Sequence, residues 1–140
     1  MPVTPFQIDR QEILEVFADR SHVIRLKSNW LARTYFGFDP STTLEHLVLP
    51  GLILAEAAST STLANYYVPY SATAAYGAGS DTAVGVLGQL VDLTWNDEAV
   101  APVVHAKLIE AHCYVYGETQ ASSQTISSTI KTQLAQMVWV

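Results

Sequence analysis

The stretch Pro50-Gly51-Leu52-Ile53-Leu54-Ala55-Glu56 decides the fold class. It reads as a short apolar strand opened by a Pro-Gly turn. Downstream, Asn65-Tyr66-Tyr67-Val68-Pro69-Tyr70 is aromatic and β-branched. Pro69 has no N–H for a ladder, so this segment is expected at an edge or a strand end. Residues 72–80 are small and glycine-rich, which predicts a loop. Thr82 to Leu87 and Gln89 to Trp95 read as one strand bent at Gly85 and Gly88, with a turn at Asn96-Asp97-Glu98. Residues 103–116 form a long β stretch, as a hairpin or as a bulged strand around Glu110. From Ser122 the period changes: Ile126, Ile130, Leu134 and Met137 recur at helical spacing, with Ser122 or Ser123 as cap. Val138-Trp139-Val140 closes the chain as a short strand, and no fixed-period repeat is present.

Upstream the pattern is mixed. Asp9-Arg10-Gln11-Glu12 resembles a capping box, and Ile13, Val16, Phe17 and Arg20 follow at helical spacing, so a short helix is predicted over 9–20. In His22-Val23-Ile24-Arg25-Leu26-Lys27 the apolar Ile24 and Leu26 alternate with Arg25 and Lys27, which predicts a strand with one apolar face. Asp39-Pro40-Ser41 is a linker signal and places a boundary near 40–48. The expectation is therefore a mainly β protein with a small α component. An N-terminal arm of residues 1–45 precedes a compact β-rich domain of residues 46–140 that ends in a helix.

Composition agrees with a single domain carrying a tail. The chain has 140 residues, 15.3 kDa and 49% hydrophobic content. A chain of this size buries about 70% of its unfolded surface and needs no disulfide or metal staple. Such apolar content argues against global disorder. Seven basic residues against thirteen acidic ones give a net charge of -6, which argues against a sequence-independent nucleic-acid binder. The single cysteine, Cys113, excludes an intrachain disulfide framework and a cysteine-rich zinc module. Asp9, Arg10, Glu12 and Glu15 interrupt the N-terminus, so it does not read as a signal peptide. The longest uncharged run, residues 57–80, is too polar for a membrane helix. A soluble protein is expected. Charge is uneven: residues 1–39 hold five basic and five acidic residues, whereas residues 40–140 hold only Lys107 and Lys131 against eight acids.

Candidate chemistry is sparse. His105, His112 and Cys113 fit no zinc spacing, and on a strand His112 and Cys113 point to opposite faces. His22 and His46 stand alone and read as surface residues. Asp92, Asp97 and Glu98 lie near a strand end; paired carboxylates can hydrolyse, but acids beside a turn are more often simply solvated. No Gly-x-Ser-x-Gly elbow is present. Gly77-Ala78-Gly79 and Gly85-x-x-Gly88 lack the Gly-Lys-Ser/Thr ending of a phosphate loop. The N-terminal segment offers a strand-forming stretch and the aromatics Trp30, Tyr35, Phe36 and Phe38. It fits an arm that folds onto a protein partner, the alternative being that these aromatics join the main core.

Leu49-Pro50-Gly51-Leu52-Ile53-Leu54-Ala55-Glu56, then Tyr67-Val68-Pro69-Tyr70, a small-residue gap and Thr82-Ala83-Val84-Gly85-Val86-Leu87 resemble the lambda-type bacteriophage head decoration proteins. The long β stretch from Pro102 to Tyr116 and the final Thr125 to Val140 follow in the same order. The likeness spans residues 46–140, while the N-terminus is longer and more structured than the family's short disordered arm. The resemblance implies a homotrimer on the outer surface of an expanded icosahedral head. There it would sit near local threefold axes, bridge subunits of the major capsid protein and resist internal DNA pressure. It implies no catalytic activity, metal or cofactor, and no nucleic-acid, membrane or small-molecule partner. In that setting residues 22–27 are expected to add to a capsid strand, burying Ile24 and Leu26 and exposing Arg25 and Lys27. With Val23 and Trp30 they form the expected capsid-contact set. Deleting residues 1–30 is then expected to leave the trimer intact and to abolish capsid binding. Two other readings compete. One is a small trimeric β-enzyme resembling a nucleotide hydrolase, for which Lys107 and Lys131 supply little positive charge. The other is a tail- or fibre-associated structural domain.

Overall fold

The structure is a computed structural model that describes residues 14–36, 47–116 and 125–140. Within them the protein is mainly β, with a small α component. The strands are β1 (Phe17–Arg25), β2 (Asn29–Leu31), β3 (Leu47–Val48), β4 (Ile53–Glu56), β5 (Tyr67–Pro69), β6 (Ala83–Val86), β7 (Val91–Asp92), β8 (Glu98–Val100), β9 (Val103–Leu108) and β10 (Val138–Trp139). One short helix, α1 (Ser128–Gln133), precedes β10. Eight strands form one sheet in the order β1-β9-β6-β4-β5-β2-β8, with β10 parallel to the end of β9; β3 and β7 pair separately.

The strand order conceals a closure. Only residues 26–28 separate β1 from β2, and only Ala101-Pro102 separates β8 from β9. The two ladders join where Leu26 N–H donates to the Pro102 carbonyl at 2.8 Å. Residues 17–31 thus lie antiparallel to residues 98–108 as one long, bent ribbon, from Phe17 opposite Leu108 to Leu31 opposite Glu98. Because β9 also pairs with β6 and β2 also pairs with β5, the sheet curls back on itself. The register between β1 and β9 shifts three times; such bulges increase local twist and bend a strand.

Two cores result, one on each side of the sheet. Along β4, Ile53 and Ala55 enter the first, with Val68, Val86, Val103 and Leu108. Leu54, and Leu52 just before it, enter the second, with Leu31, Leu87, Leu93 and Val100. Covering on both faces explains why this run is apolar without alternation. Each large aliphatic side chain so buried contributes about 1.5–3 kcal/mol. The strand opens at Gly51, whose φ of +98° favours glycine; a Cβ there would stand 2.5 Å from the His112 carbonyl oxygen.

A helix of six residues is marginal alone. Here Ile130, Ile126 and Leu134 bury against the first core. The Ser127 hydroxyl caps the first turn by accepting the Ile130 N–H at 3.3 Å. Glu110 holds the approach, accepting the Ile126 N–H at 2.8 Å and pairing with Lys131 Nζ at 2.9 Å.

Several expectations are corrected. The predicted helix over 9–20 is not a helix where it is described: Phe17–Arg20 belong to β1. Val16 and Phe17 are buried because they pack on the first core, not because they share a helical face. The boundary near 40–48 does not divide the sheet, since β1 and β2 from the expected arm are built into it. Tyr35 and Phe36 join the cores; Phe36 is buried, and Tyr35 packs on Tyr76 at 5.6 Å. Residues 82–95 are not one bent strand: β6 stops at Val86, and β7 pairs with β3 in the second sheet. The β stretch over 103–116 ends at Leu108 and gives way to a 3-10 turn at Glu110–His112. The helix begins after Ser127, and Ser122 and Ser123 lie outside the described residues, as do the proposed capping box at 9–12, Phe38, Asp39-Pro40-Ser41 and His46.

Candidate functional site

The expected contact segment sits at the bend of the long ribbon. Ile24 lies opposite His105 and Arg25 opposite Val103. Val23 is half-buried against the first core, and Leu26 is half-buried against the second. The expected apolar face is therefore split: Leu26 turns inward, and Ile24 is 53% exposed. Arg25 and Lys27 are exposed beside it. Trp30, on β2 opposite Ala99, is 47% exposed. Among the described residues β1 pairs only with β9, so its outer edge faces no strand. Nearer the start of β1, Arg20 closes on the Glu15 carboxylate at 3.0 Å and lies 4.4 Å above the Phe17 ring. Glu15 also accepts the backbone N–H of Phe17 and Val16. The Phe17 bond, then the Arg20 side chain, hold its carboxyl below the usual glutamate range.

Four of the polar residues singled out for chemistry, Asp92, Asp97, His112 and Cys113, are occupied in structural roles. Cys113 is buried, its thiol directed at the Ile109 carbonyl, and burial pushes it up to about 12; a thiol so held is a poor nucleophile. His112 lies in the 3-10 turn and its Nδ1 bonds to the Glu15 carbonyl, tying that turn to the start of β1. His105 stands on β9, half-buried. Among the described residues no three His, Cys, Asp or Glu side chains come together as a metal site. Asp92 accepts the N–H and hydroxyl of Thr94 at 2.9 and 2.5 Å. Asp97 accepts the Arg33 N–H at 2.8 Å. The Arg33 guanidinium donates in turn to the carbonyls of Leu93 and Thr94. These bonds fix the turn between β7 and β8, and at its tip Trp95 is 81% exposed.

One concave feature was not legible in the sequence. A cleft of about 410 Å³ is walled by Tyr70, Tyr76, Tyr114 and Tyr116, with hydroxyls from Ser71 and Thr73. The Tyr114 hydroxyl is spent on the Leu49 carbonyl at 2.7 Å, and burial raises its pKa. Tyr76 packs edge-on to Tyr116 at 5.6 Å, and Tyr116 edge-on to Phe36 at 5.0 Å. Its described wall is hydroxyl-bearing and uncharged, so it offers hydrogen bonds and aromatic contact but no general base. Tyr70 and Tyr76 come from the loop that follows β5, and Tyr114 and Tyr116 from the segment after the 3-10 turn, and no sequence spacing connects them. No helix among the described residues is long and apolar enough to cross a membrane. The chain matches no protein-family model, no curated protein and no solved structure.

Proposed function

We propose that this chain is a capsid decoration protein: a homotrimer that cements the outer face of an icosahedral head by docking on the major capsid protein, without chemical turnover. The observation that carries the reading is the exposed pair Ile24 and Arg25 at the end of β1, with exposed Lys27 just beyond it, on a strand whose outer edge faces no other strand among the described residues. An open edge of this kind can accept an extended segment through backbone hydrogen bonds, with side chains setting register. Trp30 adds an aromatic contact farther along the same ribbon. Three such edges on one trimer multiply weak contacts through effective concentration. The resemblance over residues 46–140 supplies the biological setting.

The deletion expected to separate docking from folding does not do so. Removing residues 1–30 takes away β1 and most of β2, and with them the buried Val16 and Phe17. Point variants separate the two. Ile24→Asp with Arg25→Glu keeps the ladder to β9, and its circular dichroism is expected to match the parent. Co-sedimentation with assembled capsids is expected to fall at least tenfold. Capsids that take up the variant and the parent equally would overturn the reading.

A further inference from the structure

The tyrosine cleft takes no part in the docking proposed above, and not all of its hydroxyls have work inside the fold. The Tyr114 hydroxyl is spent on the Leu49 carbonyl. Ser71 Oγ accepts the N–H of Thr73 and of Ala75 and meets the Thr73 hydroxyl at 3.2 Å. Tyr70 differs. It is 5% exposed, and its hydroxyl bonds to no described residue. A buried tyrosine hydroxyl ordinarily finds a partner. Among the described residues only Trp139 Nε1 is both sealed from solvent and unpartnered. The Tyr70 hydroxyl is therefore not sealed, and it opens on the cleft that its side chain lines. Tyr76 and Tyr116 are half-buried, and their hydroxyls are likewise unbonded among the described residues.

These features select a class of ligand. No charged side chain belongs to the described wall, so an ionic ligand would lose hydration there without meeting a counter-charge. A wholly apolar ligand would strip water from Tyr70 and leave its hydroxyl unpaired, which carries a desolvation cost. The tyrosine rings, with Ile126 and Ile130, still offer apolar contact. Tyr76 meets Tyr116 at 70° and Tyr35 at 59°, so these rings form no parallel slot for a flat heterocycle. A sugar ring has an apolar C–H face and a rim of hydroxyls that both donate and accept. The cleft, at about 410 Å³, falls in the range of small-molecule sites. We infer that it binds a neutral sugar, with the C–H face on Tyr76 and Tyr116 and a ring hydroxyl bonded to Tyr70. The family resemblance does not imply such a partner, and the site does not depend on the cement reading.

Saturation-transfer NMR of the full chain with glucose, galactose, mannose and N-acetylglucosamine at millimolar concentration tests it, with glucuronic acid and glucosamine as charged counterparts. At least one neutral sugar is expected to receive saturation at its C–H protons, and the charged pair much less. Tyr70→Phe removes only a hydroxyl that no described group holds. Its circular dichroism and Tm are expected to match the parent, while the Kd for that sugar rises about fivefold. Tyr114→Phe is the converse: its hydroxyl holds the Leu49 carbonyl, so Tm is expected to fall and the Kd to stay within about twofold. The absence of transfer to every neutral sugar, equal transfer to the charged pair, or an unchanged Kd in Tyr70→Phe would each overturn the inference. Capsid co-sedimentation of Tyr70→Phe is expected to equal the parent's, so failure of the sugar site leaves the cement reading standing, and failure of the cement reading leaves the sugar site standing.

Discussion

β4 and β1 belong to one sheet and have opposite characters. β4 buries every residue but Glu56. β1 buries only Phe17. Both are extended, so backbone geometry does not separate them. What differs is the number of covered faces and edges. β4 has a strand on either edge and a core on either side; β1 has β9 on one edge and, among the described residues, none on the other. A strand in the first position must be apolar throughout. A strand in the second must be charged and irregular, because a long, flat, apolar edge invites aggregation. The Asp19, Arg20 and Arg25 side chains and the register shifts of β1 meet that requirement.

The contrast is sharpest in stability. Leu54→Ala should cost about 3 kcal/mol, from lost burial plus the cavity left in the second core, read as a lower urea midpoint with unchanged slope. A smaller effect is expected where the helix approach is fastened. The Ile126 N–H, and then Lys131, hold the Glu110 carboxyl below its ordinary value of 4.5, against the opposing effect of partial burial. A lowered folded-state value means that the stabilisation is present above the unfolded value and is lost as pH falls through the folded one. Glu110→Gln should therefore cost about 1 kcal/mol at pH 7, and the gap to the parent should close in acid, in melts taken from pH 7 down to pH 3. The smallest effect belongs to β1. Ile24→Ala is expected to stay within about 0.5 kcal/mol. A loss at Ile24 as large as that at Leu54 would break the distinction between the two strands.

Legibility in the sequence followed the same divide. The apolar run after Pro50-Gly51, the Tyr67–Pro69 strand and the final strand are all readable, because local pattern and burial agree there. Val16 and Phe17 mislead because adjacent apolar residues fit a helical stripe as well as the beginning of a strand. Their true partners, Ile109 for Val16 and Leu108 for Phe17, are remote in sequence. The end of β6 was hidden for a related reason. Gly88 lies under the Phe17 ring, where a Cβ would meet Cζ at 3.2 Å, and nothing in residues 82–95 announces a side chain from β1. Of the proposed contact group, the exposure of Arg25 and Lys27 could be read from charge. The inward turn of Leu26 could not, since it depends on the bend at Pro102. Nor could the tyrosine cleft, assembled from three separate segments.

The hydrogen bond from Leu26 to Pro102 also carries a consequence for biosynthesis. β1 emerges from the ribosome early, but its antiparallel partner begins only at Val103. Until then the charged N-terminal strand has no ladder to join, while β4, β5 and β6 can already pair among themselves. Pairings between distant segments form slowly, so closure of the sheet is expected to follow the pairing of β4, β5 and β6 and to wait until β9 has been made.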